Sequence, residues 1–139
     1  MSEQAMTRPV GWWLKEADAV LDAAFDAALE GTGVDRRGWQ ILTTLTGRPT
    51  GRAALLSALA SFDSREVLDR AVGETLRRGW VEESGDVLRL TEAGGAQQRA
   101  LAPRVARVRE RVAAALPQDD YVRLVDLLAR LVEGMRPAG

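Results

Sequence analysis

The stretch LRRGWVEESGDVLRLTEAG, residues 76–94, decides how the chain is read. It holds two short apolar patches, Trp80-Val81 and Val87-Leu88-Leu90, set among acids, a glycine and an arginine. A strand over Trp80–Glu82, a turn at Ser84-Gly85-Asp86 and a returning strand over Val87–Leu90 describe a small hairpin. Alternation along the second strand puts Val87, Arg89 and Thr91 on one side and Leu88 and Leu90 on the other. Two strands are marginal alone, so this hairpin requires helices as a base.

The flanking sequence supplies them. Upstream, a helix over about 64–78 turns Leu68, Ala71, Val72, Thr75 and Leu76 one way. Arg65, Glu66, Asp69, Arg70, Gly73 and Arg77 lie mostly on the other side. Asp63 and Glu66 have capping-box spacing, and Gly79 stops the helix. Gly73 weakens it but lets a partner approach closely. Before it, Asp35 caps a helix over about 36–46 with Trp39, Leu42 and Leu45 on one face and Ile41 beside them. Gly47-Arg48-Pro49 form a loop, and Thr50 caps a short helix over about 51–60 that buries Leu55, Leu56 and Leu59. The first helix spans 10–30. Its apolar stripe includes Trp13, Val20 and Leu21, opposed by Asp18, Asp22 and Asp26, and Gly31 and Gly33 end it.

Downstream, Thr91 caps a long helix running to about 115, with apolar Leu101, Val105, Val108, Val112 and Leu116. Gly94-Gly95 imply a loose first turn, and Pro103 costs a hydrogen bond and favours a kink. Pro117 ends it. Asp119 or Asp120 starts a last helix, ending near Gly134, with the stripe Tyr121, Leu124, Val125, Leu128, Leu131 and Val132.

Composition excludes several classes of function. The 139 residues contain no cysteine and no histidine, so disulfides, thiolate chemistry and the usual activation of a nucleophile are closed. No tight carboxylate cluster offers a metal site, and no cofactor is expected. Lys15 is the single lysine among 19 basic residues, too little to build lysine chemistry on. An enzyme is therefore not expected. The net charge of −1 argues against strong non-specific binding to nucleic acid but leaves room for a local basic surface. Residues 92–111 set Arg99, Arg104, Arg107, Arg109 and Arg111 against only Glu92 and Glu110. MSEQAMTRP starts no signal peptide and no apolar run approaches a membrane span, so a soluble, cytoplasmic protein is expected, with no membrane partner.

Helix-turn-helix plus hairpin describes a winged helix. The expected fold is mainly α: a winged helix-turn-helix with N- and C-terminal dimerisation helices. Residues 1–9 read as a disordered arm, 10–33 as the N-terminal dimerisation helix and 34–92 as the winged domain. Residues 93–135 read as the C-terminal dimerisation helices and 136–139 as a flexible tail. The terminal stripes are longer than the small middle unit can cover. A second copy would cover them, giving a symmetric homodimer through Val20, Leu21, Leu124, Leu128 and Leu131. A closed monomeric helix bundle is the alternative.

The sequence resembles the MarR family of transcription regulators, through GWQILTTL at 38–45, LRRGWVE at 76–82 and LRLTEAG at 88–94. An apolar residue followed by Thr-Glu-x-Gly after the second wing strand is a family signature. The resemblance spans about residues 8–135. It implies a homodimer that binds two half-sites of palindromic double-stranded operator DNA and represses nearby genes. The resemblance further implies release of the DNA by a small aromatic effector or by an oxidant, and the oxidant version that relies on a cysteine is closed to this chain.

The helix over 64–78 then corresponds to the family's recognition helix, with Arg65 and Arg70 as base readers. Arg48 and Arg52 would hold phosphates, and Arg89 on the wing would reach the minor groove or its backbone. Each is also readable as a solvated arginine or as the ion-pair partner of Glu66, Asp69 or Glu83. Trp12, Trp13, Phe25 and Trp39 would line the effector cleft, or else serve as core and dimer contacts. Two features depart from the family pattern. The wing is short, and Glu82, Glu83 and Asp86 crowd it; Glu66, Asp69 and Glu74 lie on or near the outward side of the recognition helix. They keep a second reading open, a winged-helix dimer that binds small molecules or proteins without DNA.

Overall fold

The structure is a computed structural model that describes residues 7–138. Among these the elements are α1 (Val10–Ala28), α2 (Arg36–Gly47), β1 (Thr50–Gly51), α3 (Arg52–Leu59), α4 (Arg65–Arg77), β2 (Val81–Ser84), β3 (Val87–Leu90), α5 (Glu92–Ala115) and α6 (Gln118–Met135). Residues 1–6 of the expected arm and residue 139 of the expected tail lie outside the described residues. Arg8, also assigned to the arm, stacks its guanidinium 4.0 Å from the centre of the Trp12 ring. The chain divides after Val105 into two compact units.

In the first unit, α2, α3 and α4 close around a core that the hairpin covers. Ile41, Leu42, Leu55, Leu68 and Leu88 are essentially without solvent contact, joined by Leu29 from the end of α1 and by Leu101 and Val105 from α5. The Asp35 carboxylate accepts from the Gly38 N–H at 2.8 Å, the expected cap of α2. Gly31 and Gly33 both take φ of 78° after α1, a conformation that costs glycine little. The Arg104 guanidinium donates to the carbonyls of Ala28 and Glu30, 3.3 Å each, placing a cation at the carbonyl end of α1.

α4 ends as expected. Gly79 has φ of 76°, its N–H donates to the Leu76 carbonyl, and the Trp80 N–H donates to the Thr75 carbonyl. These two hydrogen bonds satisfy carbonyls that a helix end otherwise leaves open.

Three local expectations are corrected. Thr50 does not cap a helix: Thr50 and Gly51 form a third strand, antiparallel to β3 with Thr50 opposite Leu88 and Gly51 opposite Val87. α3 therefore starts at Arg52, whose N–H donates to the Asp86 carbonyl at 2.8 Å. The cap of α4 is Ser64, whose hydroxyl accepts from the Val67 N–H, rather than Asp63. Asp63 instead accepts from the Ser64 N–H and from the Arg37 guanidinium. The first wing strand is Val81–Ser84, shifted one residue past Trp80 at its start and two past Glu82 at its end. The turn shrinks to Gly85-Asp86, with φ of 61° at Gly85, the pattern of a two-residue hairpin loop with glycine first.

The glycines after Thr91 also mean something other than looseness. A Cβ at Gly94 would sit 1.9 Å from the Trp80 carbonyl oxygen, so only glycine lets α5 start this close to the hairpin. Thr91 completes the joint. Its N–H donates to the Trp80 carbonyl at 3.0 Å, and its hydroxyl donates to the Gly79 carbonyl at 2.6 Å while accepting from the Gly94 N–H at 3.0 Å. The Thr-Glu-Ala-Gly run thus fastens the hairpin root to the first turn of α5. Pro103 lies inside α5 without ending it.

The second unit holds the end of α5 and all of α6. Val108 is buried, and Val112 and Leu116 are half-buried. α6 starts at Gln118 with Pro117 before it and no side-chain cap, so neither Asp119 nor Asp120 is its first residue; both lie in its first turn. There their charge favours the exposed N–H groups. No residue of α6 is buried. Among the described residues, no helix is long and apolar enough to cross a membrane.

Candidate nucleic-acid interface

The apolar side of α4 is fixed by Leu68, Val72 and Thr75 in the core. Helical geometry then turns Arg65, Glu66, Asp69, Arg70 and Gly73 outward, and all five are exposed. The Arg65 side chain is 80% exposed and lies 3.9 Å from Asp69; that of Arg70 is 73% exposed and lies 3.7 Å from Glu66. Gly73 leaves the outer surface flat, since a Cβ there would meet nothing within 4 Å. Further along, Arg77 and Arg78 both pair with Glu74. The hydrogen bond from Arg78 is the main reason the Glu74 carboxyl is held below the usual glutamate range.

The wing carries Arg89 on its outer side. Strand pairing sets Glu82 directly opposite Arg89 and Glu83 opposite Leu88. Because cross-strand partners share a face, Glu83 lies on the side of the fully buried Leu88 and Glu82 on the outer side with Arg89. Arg48 and Arg89 are exposed and have no ion-pair partner among the described residues.

Arg52 is placed differently from the other basic candidates. Its Nε and one terminal nitrogen donate to the two oxygens of Glu83 at 2.9 and 3.0 Å, and its other terminal nitrogen reaches Asp69 at 3.5 Å. The bond to Glu83 raises the Arg52 pKa against some desolvation, and the same bond lowers that of Glu83. The sequence offered three acids as possible partners for the arginines. The structure brings Arg52 to two of them and ties α3, α4 and β2 together through one side chain.

The four aromatic candidates do not form one cleft in the chain. Trp39 is buried in the core, and Phe25 packs on that core beneath the Arg36 guanidinium, 4.6 Å from its ring centre. Trp12 and Trp13 touch edge to face at 4.7 Å near the start of α1. A cavity of about 460 Å³ opens elsewhere in the first unit, with Leu29, Val34, Ala71 and Trp80 as apolar wall and Asp26, Glu30, Asp35 and Glu74 as polar lining. None of the four predicted aromatic positions borders it, and only the Gly31 and Gly33 break marked the place in the sequence. Of the dimerisation candidates, Val20, Leu21 and Leu124 are exposed and Leu128 and Leu131 are half-buried.

A helix-turn-helix with a three-stranded wing, an arginine-bearing helix facing out and long helices at both ends define a winged-helix protein. No family model and no curated protein matches the sequence. Solved structures share the fold, and they are MarR-type regulators. CouR from Rhodococcus jostii, solved with p-coumaroyl-CoA, is 19% identical with a TM-score of 0.79, covering 98% of this chain and 100% of that one. A probable transcriptional regulator from Pseudomonas aeruginosa is 24% identical with a TM-score of 0.76, over 91% and 98%. A MarR family protein from Mycobacterium tuberculosis, solved in complex with DNA, is 22% identical with a TM-score of 0.67, over 89% and 98%.

Proposed function

We propose that the chain is a member of the MarR family: a homodimeric, ligand-responsive repressor that binds double-stranded operator DNA sequence-specifically in the cytoplasm. Residues 34–92 form the DNA-reading head, and residues 10–33 and 93–135 form the dimer. The observation that carries this reading is the outward face of α4. Arg65 and Arg70 stand there largely exposed, each held among the described residues only by a long contact to an acid one turn away. Exposed pairs at this helical spacing are worth about 0.3–0.5 kcal/mol. A bidentate arginine–guanine contact discriminates by about 1–3 kcal/mol, so the DNA contact wins the exchange. Arg89 and Arg48, without an ion-pair partner among the described residues, add phosphate or minor-groove contacts.

The dimer is supported by apolar side chains left exposed on α1 and α6. The effector is a small aromatic compound. That reading is supported by the p-coumaroyl-CoA held by CouR and the p-aminosalicylic acid held by the Mycobacterium tuberculosis protein. Exposed Trp13 and its neighbour Trp12 are the candidates to meet such a ring. The acidic wing favours a second reading, the same dimer working without DNA.

Selection of bound fragments from genomic DNA at two salt concentrations separates the two readings. The DNA reading expects enriched sites whose affinity falls steeply with salt. Arg65→Glu should lower affinity for such a site by about tenfold or more and change the bases preferred. Unchanged binding by that variant removes Arg65 from the interface, and no enrichment at either salt leaves the second reading.

A further inference from the structure

Asp69, Arg52 and Glu83 extend the outer face of α4 into a chain of alternating charge. Arg65 lies 3.9 Å from Asp69, Asp69 lies 3.5 Å from Arg52, and Arg52 grips Glu83 with two bonds. The four side chains sum to zero. Without Arg52 the remainder would be one arginine against two carboxylates, and among the described residues Asp69 would have Arg65 as its only cation within ion-pair distance.

We propose that Arg52 is a positioning residue for DNA recognition: it occupies Asp69 and Glu83 so that Arg65 is free to read the duplex. This rests on the DNA-binding reading above. The geometry assigns Arg52 this part rather than a phosphate contact. Both ends of its guanidinium are engaged within the chain, while its own N–H is bonded to the wing-tip carbonyl of Asp86. It also explains how a wing with three acids meets an anionic partner. Glu83, on the Leu88 side of the hairpin, is cancelled by Arg52. Glu82, on the outer face opposite Arg89, has no ion-pair partner among the described residues. The two neighbouring glutamates thus carry the same charge and have different consequences.

The test measures affinity of the full-length protein for a selected duplex, with thermal melting of each variant as a check on folding. Arg52→Gln should weaken binding by about tenfold, a loss the size of one base contact. Adding Asp69→Asn and Glu83→Gln to Arg52→Gln should restore affinity to within about threefold of the starting protein. The acids that draw on Arg65 are then gone, although the clamp remains broken.

A purely mechanical role for Arg52 predicts no such recovery, and unrecovered binding in a folded triple variant overturns the proposal. So does unchanged binding by Arg52→Gln. Should Arg52→Gln fail to fold, the pair Glu82→Gln and Glu83→Gln still decides, with Arg52 left in place. Removing uncancelled Glu82 should strengthen binding clearly more than removing cancelled Glu83, and an equal or reversed order overturns the proposal. If the starting protein selects no duplex at all, the DNA-binding reading falls and takes this one with it. That outcome is distinct from binding that is present but indifferent to Arg52.

Discussion

On α4, Leu68 and Val72 are each 1% exposed, whereas on α6, Val125 is 47% and Tyr121 49% exposed. Both helices carry an apolar stripe at helical spacing. The difference lies in what the chain supplies to cover it. α4 is covered by α2, α3 and the hairpin, so its stripe belongs to a core that one chain completes. α6 and the outer part of α1 keep Val20, Leu21, Leu124 and Val132 in solvent. Amphipathicity states that a face favours burial and leaves open what buries it. Full burial of a large apolar side chain contributes about 1.5–3 kcal/mol, so a surface of this kind is a strong drive to associate.

The contrast can be broken most directly at α6. If its stripe is an interface between copies, Leu124→Asp with Leu128→Asp should weaken association by about a hundredfold or more, because charge would be buried unpaired. Sedimentation equilibrium should then show monomer or unfolded chain, and a folded dimer would reject that surface. The matching change on α4, Leu68→Ala, should cost about 2–5 kcal/mol in urea unfolding through the cavity it leaves. The fraction that remains folded should keep its assembly state. A shift in assembly would mean that the two stripes are not separate in their work.

A smaller effect sharpens the α4 side. Gly94→Ala should destabilise by about 1–3 kcal/mol, since the added methyl must displace the hairpin carbonyl it meets. An unchanged urea midpoint would show that this joint tolerates separation.

The smallest effect is with pH. Glu83 and Glu74 are held below the ordinary glutamate pKa of 4.5 by hydrogen bonds from Arg52 and Arg78 respectively. A depressed carboxyl contributes stability that is complete above its ordinary pKa and is lost as pH falls through the lower folded value. Amide exchange should therefore show β2 loosening in acid, below about pH 4.5, ahead of the core of α2. Glu83→Gln should remove that acid step, while persistence of the step would assign it to another carboxylate.

Periodicity and turn chemistry made most of the first unit legible. Trp39, Leu42, Leu45, Leu55, Leu59, Leu68 and Val72 lie where helical spacing put them, and Gly31, Gly33 and Gly79 end the helices they were expected to end. What was missed needs knowledge of distant neighbours. Thr50-Gly51 is too short to show strand alternation and becomes a strand only because β3 lies beside it. Ser64 and Asp63 are both good caps, and Arg37 draws Asp63 away. Gly94 looks like a weak point until the Trp80 carbonyl is placed against it. Of the candidate interface, the outward turn of Arg65 and Arg70 was readable from α4 alone. The partner of Arg52 was not, because an arginine chooses among acids in three dimensions.

The Thr91 joint has a mechanical consequence. Two hydrogen bonds cross from the hairpin root to Thr91, a third closes the first turn of α5 on the same hydroxyl, and a backbone contact leaves no room for a methyl group. That leaves no slack between the base of the wing and the start of the long helix, so a torque on one is delivered to the other as if through a welded bracket.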